Sequence, residues 1–502
     1  MGDPTVPFEG WSAHPGDPGW YSAFPDPMPT PAENDERYVN GGGAAFLDLT
    51  GDGLPEIVAT GPWSGVGVFV NDGNGGYVAA ANPELAAVTD VACAVGVHLD
   101  DDELRDLLVC SDNGLGAWRN LGGGSFTFAT TVLDLDAVSG RTESVAVTDA
   151  DGDGALDLYV STQTFANQPD GRPEPIADVL LRLVDAFTFE DVSDRLPVGL
   201  DGQTWTATWL ELDELPGLDL LAMRDRGDIL WPASAWEQRS DGPWEERSAD
   251  WDLTLPFDPM GSVQGDLDGD GTTELIFTDN WSRLHLRSLE DGLAVERAPE
   301  LGLVVQEPEV QRSSWGLELF DAENDGDLDL LVPFGRVSMM EGDPIQFLGA
   351  WLWEDGAFVD VGERIEQPER VQDETWRSCL RGDVEGDGTL EVFCNSQVGA
   401  ATLLRPNDTG NHWTRVVLRG PPGNRDGLGA KVTLADGSER ARWRQIGIGT
   451  TGIGSSREPF AHFGLGAEPP NLPLIEVRWA DGVVSAVAAV LDGVLVVEHP
   501  DA

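Results

Sequence analysis

This sequence predicts an all-β protein: a seven-bladed β-propeller with calcium-binding hairpin loops plus a small C-terminal β-rich domain. Three observations carry that expectation. An acidic loop recurs at near-constant spacing, a short apolar run follows almost every copy, and 61 Gly and 33 Pro are spread along 502 residues. Apolar runs such as EIVAT, ELIFT and LDLLV, rich in Val, Ile, Leu and Phe, read as buried strands. Four strands per unit of about 40 to 60 residues is the pattern of propeller blades.

The clearest loop is Asp149-Ala-Asp151-Gly-Asp153-Gly-Ala-Leu-Asp157, with oxygen ligands at positions 1, 3, 5 and 9 and glycine at 6. It recurs as Asp48, Thr50, Asp52, Glu56; as Asp266, Asp268, Asp270, Glu274; as Asp321, Glu323, Asp325, Asp329; and as Asp383, Glu385, Asp387, Glu391. Two further copies keep the register but lose ligands. His98, Asp100, Asp102 and Asp106 form one, with Glu103 where glycine belongs, and Glu211, Asp213, Leu215 and Asp219 form the other. First positions lie 50, 51, 62, 55, 55 and 62 residues apart, which makes seven units.

Carboxylates at alternating positions of a tight loop converge on one point, and a hard cation such as Ca²⁺ takes six to eight oxygens at about 2.3–2.6 Å. About five calcium sites are therefore expected, with the loops at 98–106 and 211–219 doubtful. A metal-free Asp/Gly turn is the plainer alternative. Against it stands the acid at position 9, which a turn does not require. An EF-hand would need flanking helices and Glu at position 12, whereas strand-like runs follow directly here.

The last unit, around Cys379 to Arg405, supplies three strands, and an open edge leaves backbone groups unpaired. The segment Thr5 to Trp11 (TVPFEGW) has the aromatic strand pattern of FTFEDV and AFVDV, and is expected to pair as the fourth. The expected organisation is a Pro/Trp-rich segment over 1–37, with 5–11 closing the last blade, then the propeller over 38–410 and a β domain over 411–502.

With 30 Lys+Arg against 89 Asp+Glu the formal charge is −59, which repels nucleic acid and anionic membranes and attracts cations. The 41% hydrophobic content and 18 Trp are enough for a folded core. No apolar stretch of about 18 residues is present, so no membrane-spanning helix is expected. The N-terminus lacks a basic start and an apolar h-region, so no signal peptide is visible; a mature secreted chain would look the same.

Cys93 and Cys110 are symmetric about the second loop, and Cys379 and Cys394 about the seventh. On antiparallel strands, residues equidistant from a turn face each other within disulfide range. Two disulfides would imply an oxidising compartment; four buried thiols are the alternative.

The loops resemble the calcium loops of FG-GAP/VCBS repeats. The C-terminal motifs Asn411-His412-Trp413, GNRDGLGA (Gly423 to Ala430), HFGLG (His462 to Gly466) and EVRWADG (Glu476 to Gly482) resemble the ASPIC/UnbV domain of the cartilage acidic protein-like family. The resemblance runs from about residue 38 and implies a calcium-binding, mostly non-catalytic propeller with a β-rich appendage, secreted, at the cell surface or periplasmic.

Trp205 and Trp315 lie six residues before the first position of their loops, and Trp376 seven before. They should sit at the far end of the innermost strands, around the mouth of a central channel. With Arg141, Glu143, Arg312 and Arg377 at neighbouring positions they could line a concave ligand pocket. The plainer reading is that Trp fills wedges between blades. The stretch Arg224 to Met260, with Trp231, Trp236, Trp244 and Trp251, adds a longer connection on the same face.

Other motifs carry less. Gly447-Ile-Gly449-Thr-Thr-Gly452 matches a dinucleotide fingerprint but lacks the helix that motif requires. Asp383 of Arg381-Gly382-Asp383 is engaged as a loop ligand. The six His show no zinc spacing. Two function classes follow: a calcium-stabilised binding module for a glycan, small molecule or protein, or a hydrolase or lyase with its active site at the channel mouth.

Overall fold

The computed structural model describes residues 12–13 and 42–502, apart from 62–64, 136–139, 165–173, 197–200, 214, 226–230, 240–241, 281–282, 306–312, 336–346, 363–375, 397–400, 407–408, 436–441, 449–451, 453 and 469–472. Among the described residues the chain is β-structure with two short 3-10 turns and no α-helix.

Seven antiparallel sheets follow one another along the chain. The first holds Ala44–Leu47, Glu56–Gly61, Gly65–Asn71 and Tyr77–Ala80, and the second Val91–Val97, Asp106–Ser111, Gly114–Asn120 and Phe126–Asp134. The third to fifth open with Gly140–Thr148, Thr204–Leu210 and Pro259–Gly265, and the sixth with Ser313–Ser314 followed by Glu318–Phe320. In the seventh, Trp376–Gly382, Glu391–Ser396 and Thr402–Arg405 are joined by Ser12–Ala13, with Ser12 opposite Arg405 and Ala13 opposite Leu404. The segment Thr5 to Trp11, expected in that position, lies outside the described residues.

Each acidic loop joins the first two strands of its sheet. The first strands are buried throughout, as in Val91–Val97 and Trp376–Gly382, because sheets cover them on both faces. Fourth strands such as Thr188–Asp191 are mostly exposed. Tryptophan and phenylalanine fill the spaces between successive sheets. Trp209 meets Trp244 edge-on with ring centroids 5.9 Å apart, and Phe46 of the first sheet meets Phe393 of the seventh at 6.0 Å. Truncating such a buried ring costs about 3–5 kcal/mol.

Asn395 Nδ2 of the seventh sheet donates to Gly43 O at 2.8 Å, and Asn71 Nδ2 of the first to Val384 O at 3.0 Å. The first and last sheets are thus in direct contact.

Cys93 faces Cys110, and Cys379 faces Cys394, on paired strands, and both pairs are disulfides. No helix among the described residues is long and apolar enough to cross a membrane.

The C-terminal region builds two further sheets. His412–Arg419 lies between Phe460–Gly466 and Gly493–Glu498, and Lys431–Ala435 and Leu474–Arg478 lie between Arg442–Gln445 and Val484–Ala488. The stretch from Ile446 to Phe460 leaves this pair and runs among the inner strands of the seven sheets. Ile448 bridges Val147, and Ser456–Arg457 pairs in parallel with Ala45 and Phe46. This stretch contains Gly452 of the apparent dinucleotide fingerprint and the nearby Gly454, and packing explains both. A Cβ on Gly452 would lie 2.4 Å from Gly316 Cα, and one on Gly454 2.3 Å from Ala92 O. The glycines permit backbone-to-backbone contact with facing strands.

Candidate metal loops and the C-terminal domain

In the acidic loops the first aspartate folds back on its own turn. Asp149 accepts from Asp153 N at 3.1 Å and Gly154 N at 3.0 Å, and Asp266 from Gly269 N at 2.7 Å and Gly271 N at 3.0 Å. Asp48, Asp321 and Asp383 do the same with Gly53, Gly326 and Gly388. Gly53, Gly154, Gly271, Gly326 and Gly388 are the position-6 glycines whose backbone permits the turn, with φ of 82–108°.

The acid at position 9 accepts from the N–H of position 2 in all seven copies. The pairs are Glu56 with Leu49, Asp106 with Leu99, Asp157 with Ala150, Asp219 with Leu212, Glu274 with Leu267, Asp329 with Ala322 and Glu391 with Val384, at 2.7–3.1 Å. This corrects one step of the sequence argument. An acid at position 9 closes the turn by itself and does not by itself signify metal; it persists in the two copies that lost ligands.

Metal-holding capacity rests instead on convergence. Single carboxylate oxygens of Asp149, Asp151 and Asp153 lie within 4.8 Å of one another, as do those of Asp266, Asp268 and Glu274. These two groups could hold a metal ion, and their all-oxygen donor set suits a hard cation. Arginines compete in two loops: Glu385 and Glu391 of the seventh pair with Arg405 at 3.0 and 3.5 Å, and in the third Asp151 pairs with Arg195 at 3.4 Å and Asp153 with Arg182.

Burial raises the carboxyl pKa values. Desolvation, with smaller contributions from neighbouring carboxylates, moves Asp149 and Asp266 up to about 6, and Glu56, Asp157, Glu274 and Asp321 up to about 7. Glu323, crowded by Asp325 as well as buried, rises to about 9. Such groups take up protons or a cation, because their shared negative charge is costly in a dry loop.

The C-terminal domain sits on this loop face. Asn424 Nδ2 reaches Asp149 Oδ2 at 3.3 Å, Gly464 N donates to Asp321 Oδ2 at 2.9 Å, and Arg415 Nη1 pairs with Asp383 Oδ2 at 3.2 Å. The two ligand-poor loops make ion pairs with it. Arg105 of the second holds Asp426 at 2.7 Å, with His98 Nε2 at 3.7 Å from the same oxygen. Glu211 of the fourth pairs with Lys431 at 2.9 Å and with Arg478. Their departures from the ligand pattern thus serve docking, a role invisible without the partner residues more than 200 positions away.

Trp205, Trp315 and Met260 form one buried cluster, and the Arg377 guanidinium stacks 3.8 Å above the Trp315 ring. Trp376 is buried between the sixth and seventh sheets. Arg141 Nε lies 2.8 Å from Glu143 Oε2, both side chains buried. Arg312 lies outside the described residues. The six described candidates therefore pack inside rather than face an open pocket. Trp236, Trp244 and Trp251 are likewise core residues, and Trp231 is half-buried. Described residues of the inserted C-terminal stretch, Ile448, Gly452, Gly454 and Ser456–Arg457, contact the inner strands.

Family models match at two places: FG-GAP-like repeat over residues 98–160, and ASPIC and UnbV over residues 420–501. Cartilage acidic protein 1 of Homo sapiens is 24% identical, covering 88% of this chain and 69% of its own length; that of Mus musculus is 23% identical, covering 91% and 74%. Among solved structures, the rhamnogalacturonan lyase PL11 of Bacillus licheniformis is similar at TM-score 0.40 and 12% identity, over 74% of this chain and 72% of that one.

Proposed function

Starting from a chain that carries an FG-GAP-like repeat and an ASPIC/UnbV domain, as cartilage acidic protein-like proteins do, we propose a calcium-stabilised interaction module working outside the cytoplasm. The seven sheets are read as blades of one closed propeller, supported by the Asn395–Gly43 and Phe46–Phe393 contacts between last and first sheets. The two disulfides fit an oxidising compartment.

One observation carries the calcium reading: in loops whose register repeats, carboxylate oxygens converge closely enough to hold a cation, as at Asp149, Asp151 and Asp153 and at Asp266, Asp268 and Glu274. In the proposal Asp48, Thr50, Asp52 and Glu56, and the corresponding residues from 149, 266, 321 and 383 onward, would hold about five Ca²⁺. Bound cations would neutralise the clustered charge and stiffen the face on which the C-terminal domain rests.

The partner, a glycan, small molecule or protein, is assigned to the opposite face. In the proposal Trp205, Trp315, Trp376, Arg141, Glu143 and Arg377, all buried, would form a rigid floor for the site there, with Arg312 contributed by the segment before Ser313. Loops on a rigid scaffold are where binding residues concentrate. A glycan and metabolite array probed in calcium and in chelator tests the reading. Binding retained in calcium and lost in chelator supports it; binding indifferent to chelator contradicts it.

A further inference from the structure

A cavity of about 60 Å³ lies where inner strands of the third to seventh sheets meet the inserted C-terminal stretch. Its lining includes Arg381, Arg444, Arg457, Asp321, Gln264 and His462. At roughly 10–15 Å³ per water-sized occupant, the space suits a few waters or one small ion.

The charges there do not balance. Arg381 and Arg457 share one partner, Glu318, with Arg381 Nε at 3.5 Å. Asp321 accepts from Asp325 N, Gly326 N and Gly464 N, and offsets part of the Arg444 charge without hydrogen-bonding it. Arg444 donates Nη1 to Trp443 O at 2.8 Å, and Arg381 donates Nη2 to Phe460 O at 3.2 Å. Arg381 Nη1 and Arg444 Nη2 are buried and make no hydrogen bond to a described residue. A buried guanidinium donor left unmet is costly. Desolvation correspondingly draws both arginines down to about 10.

Two acceptors complete the set. Gln264 gives Nε2 to Trp209 O at 2.9 Å, leaving Oε1 buried without a partner among the described residues, and His462 meets Asn324 through Nε2, leaving Nδ1 the same. Two cationic donors beside two neutral acceptors suit an anion that also carries a hydroxyl.

We propose that this cavity binds one small hydroxyl-bearing oxyanion, of the hydrogencarbonate or hydrogenphosphate kind, held by Arg381 and Arg444 between the inner strands and the inserted stretch. The ion would fasten that stretch in place, an inward anion site in a protein whose overall charge is −59. Held by two buried guanidinium donors, the ion should survive desalting.

The test is to desalt the folded full-length protein into oxyanion-free buffer, denature it by heat, and quantify phosphate and carbonate in the filtrate by ion chromatography. About one equivalent per chain is expected, by the single-occupant volume. Arg444→Gln and Arg381→Gln should each release markedly less while keeping the wild-type circular dichroism. A filtrate from wild type with no oxyanion above the buffer control overturns the proposal whether or not the variants fold. A folded Arg444→Gln variant that releases a full equivalent also overturns it.

Discussion

Lys431, the only lysine in the chain, holds its Nζ 2.9 Å from Glu211 Oε2 and 4.2 Å from the centre of the Trp443 ring. A cation from the C-terminal domain thus meets the first position of an acidic loop that has lost other ligands. Both partners are partly exposed, so Lys431→Met should cost only about 0.5–1 kcal/mol. Hydrogen exchange should nevertheless quicken across Lys431–Ala435; unchanged exchange there would mean the pair does not contribute to docking.

The Arg105–Asp426 contact should matter more, being nearly dry, with side chains 11% and 8% exposed. Burial pushes Asp426 up, but Arg105 and His98 outweigh it and hold its carboxyl below the usual range. Asp426→Ala leaves Arg105 buried without that charge, at a cost of about 3–5 kcal/mol in urea unfolding. Replacing Arg105 as well should recover part of the loss. A double variant no better than the single one would argue that the damage is steric.

Asp219 separates turn closure from metal binding, because its loop lacks ligands. It accepts from Leu212 N at 3.0 Å and Gln238 N at 2.9 Å. Asp219→Ala should destabilise by about 1–3 kcal/mol through the orphaned N–H groups, with calcium content unchanged. A fall in bound calcium would return position 9 of this loop to the ligand set.

Acidity should trade against calcium. Glu56, Asp157 and Glu274, lifted by burial to about 7, favour the protonated form in the metal-free fold. A raised folded-state pKa stabilises below the unfolded value near 4 and loses that contribution as pH rises through the folded one. In chelator the melting temperature should therefore fall between about pH 5 and pH 8, and the gain on adding calcium should be larger at the higher pH. An equal gain at both ends would show that these carboxyls do not exchange protons for metal.

Much of this was legible in local sequence because the physics is local. A loop of nine residues that folds on itself writes its ligands at fixed spacing, and Cys93 and Cys110, or Cys379 and Cys394, disclose their pairing because a hairpin makes equidistant residues neighbours. What depended on remote partners was hidden. Nothing in GIGTTGIG says that Gly452 and Gly454 press against Gly316 and Ala92, so the glycines read only as a turn. Trp205 and Trp376 lie near the starts of their strands and Trp315 just before Glu318–Phe320, but spacing alone does not tell a ring facing a channel from one wedged between sheets.

The most direct measurement is the calcium content of the native protein, by equilibrium titration of the chelator-treated chain with native mass spectrometry of the product. Five bound Ca²⁺ would shift the formal charge from −59 to −49, and the account predicts about five with a markedly higher melting temperature. Substituting Asn for Asp149 and Asp151 should remove one of them. A chain that binds none, and melts identically in calcium and in chelator, would contradict the account.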